Sequence, residues 1–291
     1  MNVAKGNGFV STAKVFGLLA VMTGFFIGAG AIIGGTGGMV IGLGLAAVMN
    51  LGSYWFSDKI VLKIYGGQKA EEDSYPELHS SVEKLAEEAG IPKPDLYIAD
   101  MGVPNAFATG RNPENGVVCV TNSLMDTLDH DEVEGVIAHE LAHIKNRDTL
   151  TNSVVATLAG AIGMLAEMAF WGSMFGGREE EGDMISGLVL MITVPLIATL
   201  IKTAVSRTME YRADSDAVKI SGNGSALSSA LRKIDSQASR GMRGRTSRAQ
   251  QAGSNLFIKN PFSGSNLTRF FSTHPPLEDR IENIESTEKK A

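Results

Sequence analysis

Hydrophobic residues in this chain are concentrated in blocks that charged stretches separate. The first block, residues 15–57, contains no charged residue and is long enough for two membrane-spanning helices of about 20 residues each. A glycine-rich run at residues 34–38 divides the block and predicts a tight turn. The pattern therefore predicts a helical hairpin over residues 15–34 and 38–56.

Two further features favour a membrane location for this hairpin. Tyr54, Trp55 and Phe56 close it as an aromatic belt of the kind found at membrane interfaces. A cleaved signal peptide is the alternative, but it leaves the second apolar segment unexplained and lacks a convincing A-x-A site. Glycines four residues apart are expected to bring the two helices of the hairpin close together: Gly24/Gly28, Gly30/Gly34 and Gly38/Gly42.

Two more apolar blocks lie in the second half of the chain, at residues 151–170 and 184–201. An acidic loop at 176–183 separates them, and Pro195 predicts a kink in the second block. Because each block is about 18–20 residues long, length alone leaves both buried core helices and membrane spans open.

The distribution of basic residues decides between these alternatives. In a four-span arrangement, Arg178 falls on one side of the membrane and the basic residues flanking the spans fall on the other. This positive-inside pattern predicts that both termini and the segment between the two hairpins are cytoplasmic. The residues on the cytoplasmic side are Lys5, Lys14, Lys59, Lys63, Lys69, Lys145, Arg147, Lys202, Arg207 and Arg212.

Shorter elements are predicted in the segment after the first hairpin. An amphipathic helix over residues 76–89 ends at Gly90. Residues 95–100 show a short strand pattern. Two further strands, at 105–110 and 117–121, flank a turn-like stretch and predict a β-hairpin.

Elements are also predicted in the C-terminal part of the chain. Residues 225–237 have an amphipathic helical pattern, and a charged helix starts at Leu277. Residues 239–254 are rich in Gly, Ser, Arg and Gln. We expect a mobile solvated loop there, with contact to anionic lipid headgroups as the alternative.

A metal-binding motif, His139-Glu140-Leu141-Ala142-His143, follows the predicted β-hairpin. On a helix, positions i and i+4 share one face, so both imidazoles can reach a single ion. Glu140 projects about 100° further round the axis, near the ion without being its ligand. Imidazoles bind Zn²⁺, and the carboxylate can accept a proton from a zinc-bound water. Acidic and basic flanks support the helix: Asp129, Asp131, Glu132, Glu134, Lys145 and Arg147.

A third ligand is expected because a catalytic zinc usually has three protein ligands and an open position. His143 lies about eight residues before the third apolar block, and Glu210 about eight residues after the fourth. Neighbouring antiparallel helices would place them at the same height, so Glu210 is the predicted third ligand. Asp214, four residues on, is predicted to accept an imidazole N–H. His130 is a weaker candidate, and an ion pair with a neighbouring arginine is the alternative for Glu210.

The net charge and the cysteine count limit the possible partners and the cellular compartment of the protein. A formal net charge of −6 over 291 residues argues against a nucleic-acid surface. Cys119 is the single cysteine, so no intramolecular disulfide can form, in keeping with a reducing compartment for the catalytic part. Its strand-like surroundings predict a buried apolar role.

The chain resembles the HtpX family of membrane-bound zinc metalloproteases, relatives of the CAAX prenyl endopeptidases. Four motifs in the family's order carry the resemblance, and the four apolar segments agree with it. The motifs are His139-Glu140-Leu141-Ala142-His143, Glu210-Tyr211-Arg212-Ala213-Asp214, Asn105-Ala106-Phe107-Ala108-Thr109-Gly110 and Ser272-Thr273-His274-Pro275-Pro276.

The resemblance implies a role for each matched position. His139, His143 and Glu210 are expected to hold one zinc ion per chain, and Glu140 to act as general base and acid. Asp214 and His274 are expected to support the ligands or the transition state. The implied activity is cleavage of misfolded or damaged membrane proteins, as quality control and stress response in a prokaryotic inner membrane.

The predicted fold is a mainly α membrane protein with four transmembrane helices and a cytosolic α+β zincin-like metalloprotease domain. Its expected partners are unfolded or membrane-protein substrates and the lipid bilayer, with no nucleic acid. The chain divides into an N-terminal transmembrane hairpin (1–57), a cytosolic part with the zinc helix (58–150), a second transmembrane hairpin (151–201) and a C-terminal cytosolic part (202–291).

Two other function classes are weighed against an endopeptidase. A membrane scaffold with a structural zinc, or with none, has no need of Glu140 beside its first ligand. An intramembrane protease needs its motif inside an apolar span, whereas this motif has charged neighbours. Those neighbours are Asp131, Glu132, Glu134, Lys145, Arg147 and Asp148.

The substrate is expected to bind as an added strand on the β-hairpin before the zinc helix. An edge strand offers free N–H and C=O groups that hold an extended peptide without selecting side chains. The candidate contact residues are Asn105, Ala106, Phe107 and Val118. The alternative is that another element covers this edge.

Overall fold

The computed structural model describes residues 3–155, 207–240 and 275–290. Its first element, α1 (Val3–Tyr65), consists of two helices joined at Gly34 and Gly35. Gly35 has a φ of 56°, which glycine adopts without steric penalty, so the chain can reverse there. The predicted helix–turn–helix is confirmed.

The two helices of α1 pack closely where glycines meet. A Cβ atom on Gly30 would collide with the backbone of Gly38, and one on Gly42 with the backbone of Phe26. Gly24 and Gly28 have open space instead. The predicted close approach within the hairpin therefore holds for Gly30, Gly38 and Gly42 and is wrong for Gly24, Gly28 and Gly34, which have open space around them.

Polar contacts and membrane-type segments also characterise the hairpin. The Asn50 amide donates hydrogen bonds to the Leu19 carbonyl (3.2 Å) and the Thr23 hydroxyl (2.9 Å), which ties the helices together. In the described part of the chain, Gly34–Phe56 is long and apolar enough to cross a membrane, with a shorter apolar helix at Val15–Gly28.

A four-stranded sheet follows the hairpin, with strand order β1-β2-β4-β3. β2 and β4 pair in parallel, whereas β3 and β4 form the predicted antiparallel hairpin. β3 is therefore an edge strand and β4 a central one. The strands are β1 (Gln68–Lys69), β2 (Asp95–Ala99), β3 (Ala106–Thr109) and β4 (Val117–Thr121).

Besides a short 3₁₀ helix at Pro113–Asn115, seven further α-helices complete the described residues. They are α2 (Pro76–Ala89), α3 (Asn122–Thr127), α4 (His130–Lys145), α5 (residues 148–155), α6 (Arg207–Ser221), α7 (Gly224–Arg240) and α8 (Leu277–Glu288). The helices predicted at 76–89, around 139–143, at 225–237 and from Leu277 are confirmed as α2, α4, α7 and α8. The short elements β1 and α3 were not predicted.

Alternation along the strands sorts the sheet's side chains into two cores. Ala106, Ala108 and Val118 belong to the main core, which includes the apolar faces of α2 and α4. Phe107 and Cys119 lie on the other face, in a smaller core with the end of α1. The Phe107 and Tyr65 ring centroids are 5.2 Å apart. The sheet thus links the hairpin to the zinc-motif helix.

The strong start of α4 explains why the metal motif is helical. The Asp129 side chain accepts a hydrogen bond from the Glu132 amide (3.1 Å), and the Glu132 side chain accepts one from the Asp129 amide (3.0 Å). This capping box satisfies two backbone donors at once. Some predictions lie outside the described residues: most of the third and fourth apolar blocks, most of the 239–254 segment, and His274.

Candidate metal centre

Three predicted ligands meet in the interior, between α4 and α6. One ligand atom from each of His139, His143 and Glu210 lies within 4.8 Å of the others. The two Nε2 atoms are 3.2 Å apart, and the Glu210 carboxylate oxygens are 3.8 Å from Nε2 of His139 and 3.5 Å from that of His143. All three side chains are buried.

Small residues let α4 and α6 approach closely enough to form this cluster. Ala138 and Ala142 flank the histidines on α4, and Ala213 and Ala217 follow Glu210 on α6; all four are fully buried. Tight packing of the two helices brings carboxylate and imidazoles, about 70 positions apart in sequence, to one point.

His139 is supported by a buried pair on α6 and α8. Its Nδ1 lies 3.0 Å from Oδ1 of Asp214, although the direction of the N–H departs from ideal hydrogen-bond geometry. The Arg280 guanidinium donates to both Asp214 oxygens, at 2.6 and 2.9 Å. Burial disfavours the Asp214 charge, but Arg280 and His139 outweigh it and hold the pKa of this carboxyl below its usual range.

His143 has a second buried pair of the same kind. Its Nδ1 is 3.3 Å from Oδ2 of Asp148, and Nη2 of Arg212 donates to both Asp148 oxygens at 2.8 Å. Each imidazole therefore turns Nδ1 to an aspartate and Nε2 to the centre. Carboxylates in that position fix the orientation of metal-binding histidines.

Asp148, Arg212 and Arg280 were not assigned to the site from the sequence. Arg212 is part of the Glu210 motif, but its partner is Asp148 and not Glu210. A signal for Arg280 was present, because it shares a helical face with Leu277 and Ile284, where a buried arginine needs an anionic partner. Asp148 begins α5, and its position beside His143 follows from how α4 and α5 pack, which no sequence pattern indicates.

Glu140 is buried beside the cluster without belonging to it. The desolvation of its carboxylate raises its pKa, an effect that the Glu210 charge reinforces. The two histidines act in the opposite direction, as does a hydrogen bond from the backbone N–H of Ala108 in β3. Glu140 is thus held between the edge strand and the cluster, in a setting that favours taking up a proton.

The donor set fits a metal ion. Two imidazole nitrogens and one carboxylate oxygen converge in a buried site, and an aspartate at Nδ1 orients each histidine. Burial lowers the pKa of His143, but Asp148, Glu210 and Glu140 outweigh it and raise it to about 9. The site therefore stabilises positive charge strongly, as a cation-binding centre must.

The other residues that the sequence predicts for the site lie outside the three-residue cluster. His130 is largely exposed and its Nε2 is 3.5 Å from Glu134, so it is not part of the cluster. Val118 is fully buried in the central strand β4, which has neighbours on both sides, so a substrate strand cannot pair there. Asn105, Ala106 and Phe107 are at or in the edge strand, and all are buried.

Known proteins resemble this chain over most of its length. Residues 72–288 match peptidase family M48. The chain is 51% identical over 271 residues to the protease HtpX homolog of Pyrococcus abyssi, covering 92% of each chain. It is 46% identical over 276 residues to that of Persephonella marina, covering 94% of this chain and 96% of the relative. The crystal structure of S. mikatae Ste24p is 19% identical with a TM-score of 0.49, covering 96% of this chain and 67% of that one.

The family match spans most of the chain and includes every residue of the buried cluster. The HtpX homologs align with nearly the full length of the chain. The resemblance seen in the sequence is confirmed: the chain belongs to peptidase family M48 and is a membrane metalloprotease related to the HtpX proteases.

Proposed function

We propose that the chain is a zinc-dependent endopeptidase in which His139, His143 and Glu210 hold one zinc ion and Glu140 moves the proton. The observation that carries this proposal is the buried three-donor cluster with a fourth, separate carboxylate beside it. A structural zinc needs four closed ligands and no such neighbour, which disfavours the scaffold alternative.

A zinc ion held there would supply Lewis-acid chemistry and a water of lowered pKa. The chain's own residues do the rest. The raised pKa of Glu140 suits it to accept a proton during attack and to return it to the leaving amine. Asp214 and Asp148 hold the imidazoles so that both Nε2 atoms face the centre.

The geometry of β3 supports backbone recognition of the substrate. The Thr121 amide donates to the Asn105 carbonyl, so position 105 faces β4. Because antiparallel strands alternate, Ala106 and Ala108 direct their N–H and C=O groups away from β4. The Ala108 N–H already binds Glu140, which places this edge beside the catalytic carboxylate.

We infer an extended, unfolded polypeptide as the substrate. Pairing through backbone groups holds many sequences equally well, which suits the clearance of misfolded or damaged membrane proteins. All residues of β3 are buried in this structure, so the edge has to be uncovered for a peptide to pair. We retain Asn105, Ala106 and Phe107 as the segment that forms this edge.

We also propose the arrangement in the membrane. Four transmembrane helices would form hairpins at 1–57 and 151–201, and cytosolic parts at 58–150 and 202–291 would carry the α+β zincin-like site. The span at Gly34–Phe56 and the excess of basic residues on one side support both termini being cytoplasmic in a prokaryotic inner membrane. His274 is proposed to support the transition state.

Metal analysis of the purified protein tests the proposed centre. We expect one zinc per chain, loss of casein cleavage on chelation, and recovery on adding zinc. Glu210→Ala should lower both zinc occupancy and cleavage, because it removes one of three donors. Full zinc in the Glu210→Ala protein under chelator competition would contradict the ligand assignment, and cleavage that survives complete zinc removal would contradict the mechanism.

A further inference from the structure

A pocket of about 510 Å³ lies between the helical hairpin and the loop that follows α4. It is separate from the metal centre. Its wall is apolar and comes mainly from the two helices of α1, through Phe16, Leu19, Leu51 and Trp55. Arg111, from the loop after β3, and Arg147, from the turn after α4, add two cationic side chains to the lining.

Neither of the two arginines is paired with a carboxylate in the described part of the chain. The Arg111 guanidinium carbon lies 4.8 Å from the centroid of the Trp55 ring, and its Nη2 donates to the Asn115 side chain at 3.2 Å. Arg147 is exposed. Within residues 3–155, 207–240 and 275–290, neither arginine has a carboxylate within 4.0 Å. An anion at the pocket would therefore meet two guanidinium groups that no described carboxylate neutralises.

The backbone of Arg147 points to a role for its side chain. Its φ is 60°, the one positive φ of a non-glycine residue among those described. Glycine follows many helices in this conformation, because a Cβ makes it unfavourable. A long cationic side chain kept in a strained backbone position is typical of functional sites.

We propose that this pocket binds one anionic phospholipid of the leaflet that faces the catalytic part. Guanidinium groups hold a phosphate oxygen pair well, and the apolar wall gives the acyl chains a surface along the hairpin. Trp55 belongs to the aromatic belt that marks the membrane interface, the level of lipid headgroups. This inference rests on the proposed placement of the hairpin in the membrane.

A soluble phosphate ester shares the headgroup chemistry but not the acyl chains. The pocket's exposed surface is mainly apolar, because aromatic and aliphatic side chains form most of its lining. Burial of acyl methylenes against them would add to the phosphate contacts, whereas glycerol phosphate would gain the phosphate contacts alone. The lipid is therefore the favoured occupant.

Trp55 provides a direct probe, because the chain has two tryptophans and Trp171→Phe leaves Trp55 alone. The full-length Trp171→Phe protein is reconstituted in phosphatidylcholine vesicles that contain brominated phosphatidylglycerol or brominated phosphatidylcholine over the same series of increasing mole fractions. Fluorescence is divided by that in unbrominated vesicles of the same composition. We expect half-maximal quenching at a roughly tenfold lower mole fraction of phosphatidylglycerol.

The variants isolate the two arginines. In the double variant Arg111→Gln/Arg147→Gln, both brominated lipids should quench Trp55 to the same extent. Lys145→Gln removes a nearby exposed charge outside the pocket and should keep the preference for phosphatidylglycerol. Arg147→Gly should weaken the preference while the thermal midpoint stays near that of the parent, because glycine relieves the strained backbone.

Three results would overturn the lipid site: equal quenching in the parent, a preference that survives in the double variant, or displacement of the brominated lipid by millimolar glycerol phosphate. Zinc-dependent casein cleavage is measured on the same samples. Intact cleavage with no lipid preference refutes the lipid site alone, and absent cleavage with a clear preference refutes the proposed function alone.

Discussion

Arg280 clamps Asp214 through two hydrogen bonds, of 2.6 Å from Nη2 and 2.9 Å from Nε, with both side chains almost fully buried. The same carboxylate lies 3.0 Å from Nδ1 of His139. A helix near the C-terminus therefore acts on the metal centre through one aspartate. Nη1 of Arg280 also lies 3.8 Å from Glu210, so its charge offsets two buried carboxylates.

Removing Arg280 should destabilise the protein because it leaves the buried Asp214 charge unpaired. We expect Arg280→Met to lose about 3–5 kcal/mol and to lower the thermal midpoint by roughly 10 °C. Arg280→Met/Asp214→Asn, which removes both charges, should melt above the single variant. If Arg280→Met melts with the parent, or the double variant melts lower still, the pair is not coupled as described.

The aspartates behind the histidines should tune metal affinity. We expect Asp148→Asn and Asp214→Asn each to weaken zinc binding by roughly 10–100-fold, measured by competition with a calibrated chelator. Asp126→Asn is the control, since Asp126 is exposed and outside the site. Zinc affinity equal to the parent's in both aspartate variants would show that these carboxylates do not support the ligands.

The edge strand can be tested at Ala106, whose N–H points away from β4. Ala106→Pro should raise KM for casein several-fold while zinc content stays unchanged. Proline removes the backbone N–H that points away from β4 and leaves the hydrogen bonds between β3 and β4 intact. Phe107→Pro breaks a bond to β4 and should unfold the sheet. A normal KM in a well-folded Ala106→Pro protein would show that the substrate does not pair at this position.

The proposed topology is open to cysteine labelling. In a Cys119→Ala background, a cysteine at Thr36 or Gly182 should react with an impermeant thiol reagent added outside intact cells, and one at Lys69 should not. Lys69 is exposed, so protection there reports its side of the membrane and not burial. Labelling at Lys69 with protection at Thr36 would invert the arrangement.

Local patterns predicted the elements well because their causes are local. The break at Gly34 and Gly35 and the helices α2, α4, α7 and α8 follow from turn residues, caps and periodicity. Glu210 was placed beside the histidines by its distance from an apolar block. The structure agrees with this placement, because the two histidines and Glu210 meet in the interior.

The parts that sequence reasoning missed depend on contacts distant in the chain. Parallel pairing of β2 with β4 leaves no local pattern, so the central position of Val118 was not foreseen. Arg280 reaches Asp214 across 66 positions, and Arg212 reaches Asp148 across 64. Such pairs are fixed when helices pack, not by the spacing of residues within one helix.

In the proposed mechanism, Glu140 moves the proton while His139, His143 and Glu210 hold the metal. The direct measurement is zinc content and casein cleavage of purified Glu140→Gln beside the parent protein. We expect one zinc per chain in both proteins and a loss of at least about 100-fold in kcat for the variant, because an amide cannot accept the proton. A Glu140→Gln protein that keeps its zinc and most of its activity would show that Glu140 does not move the proton.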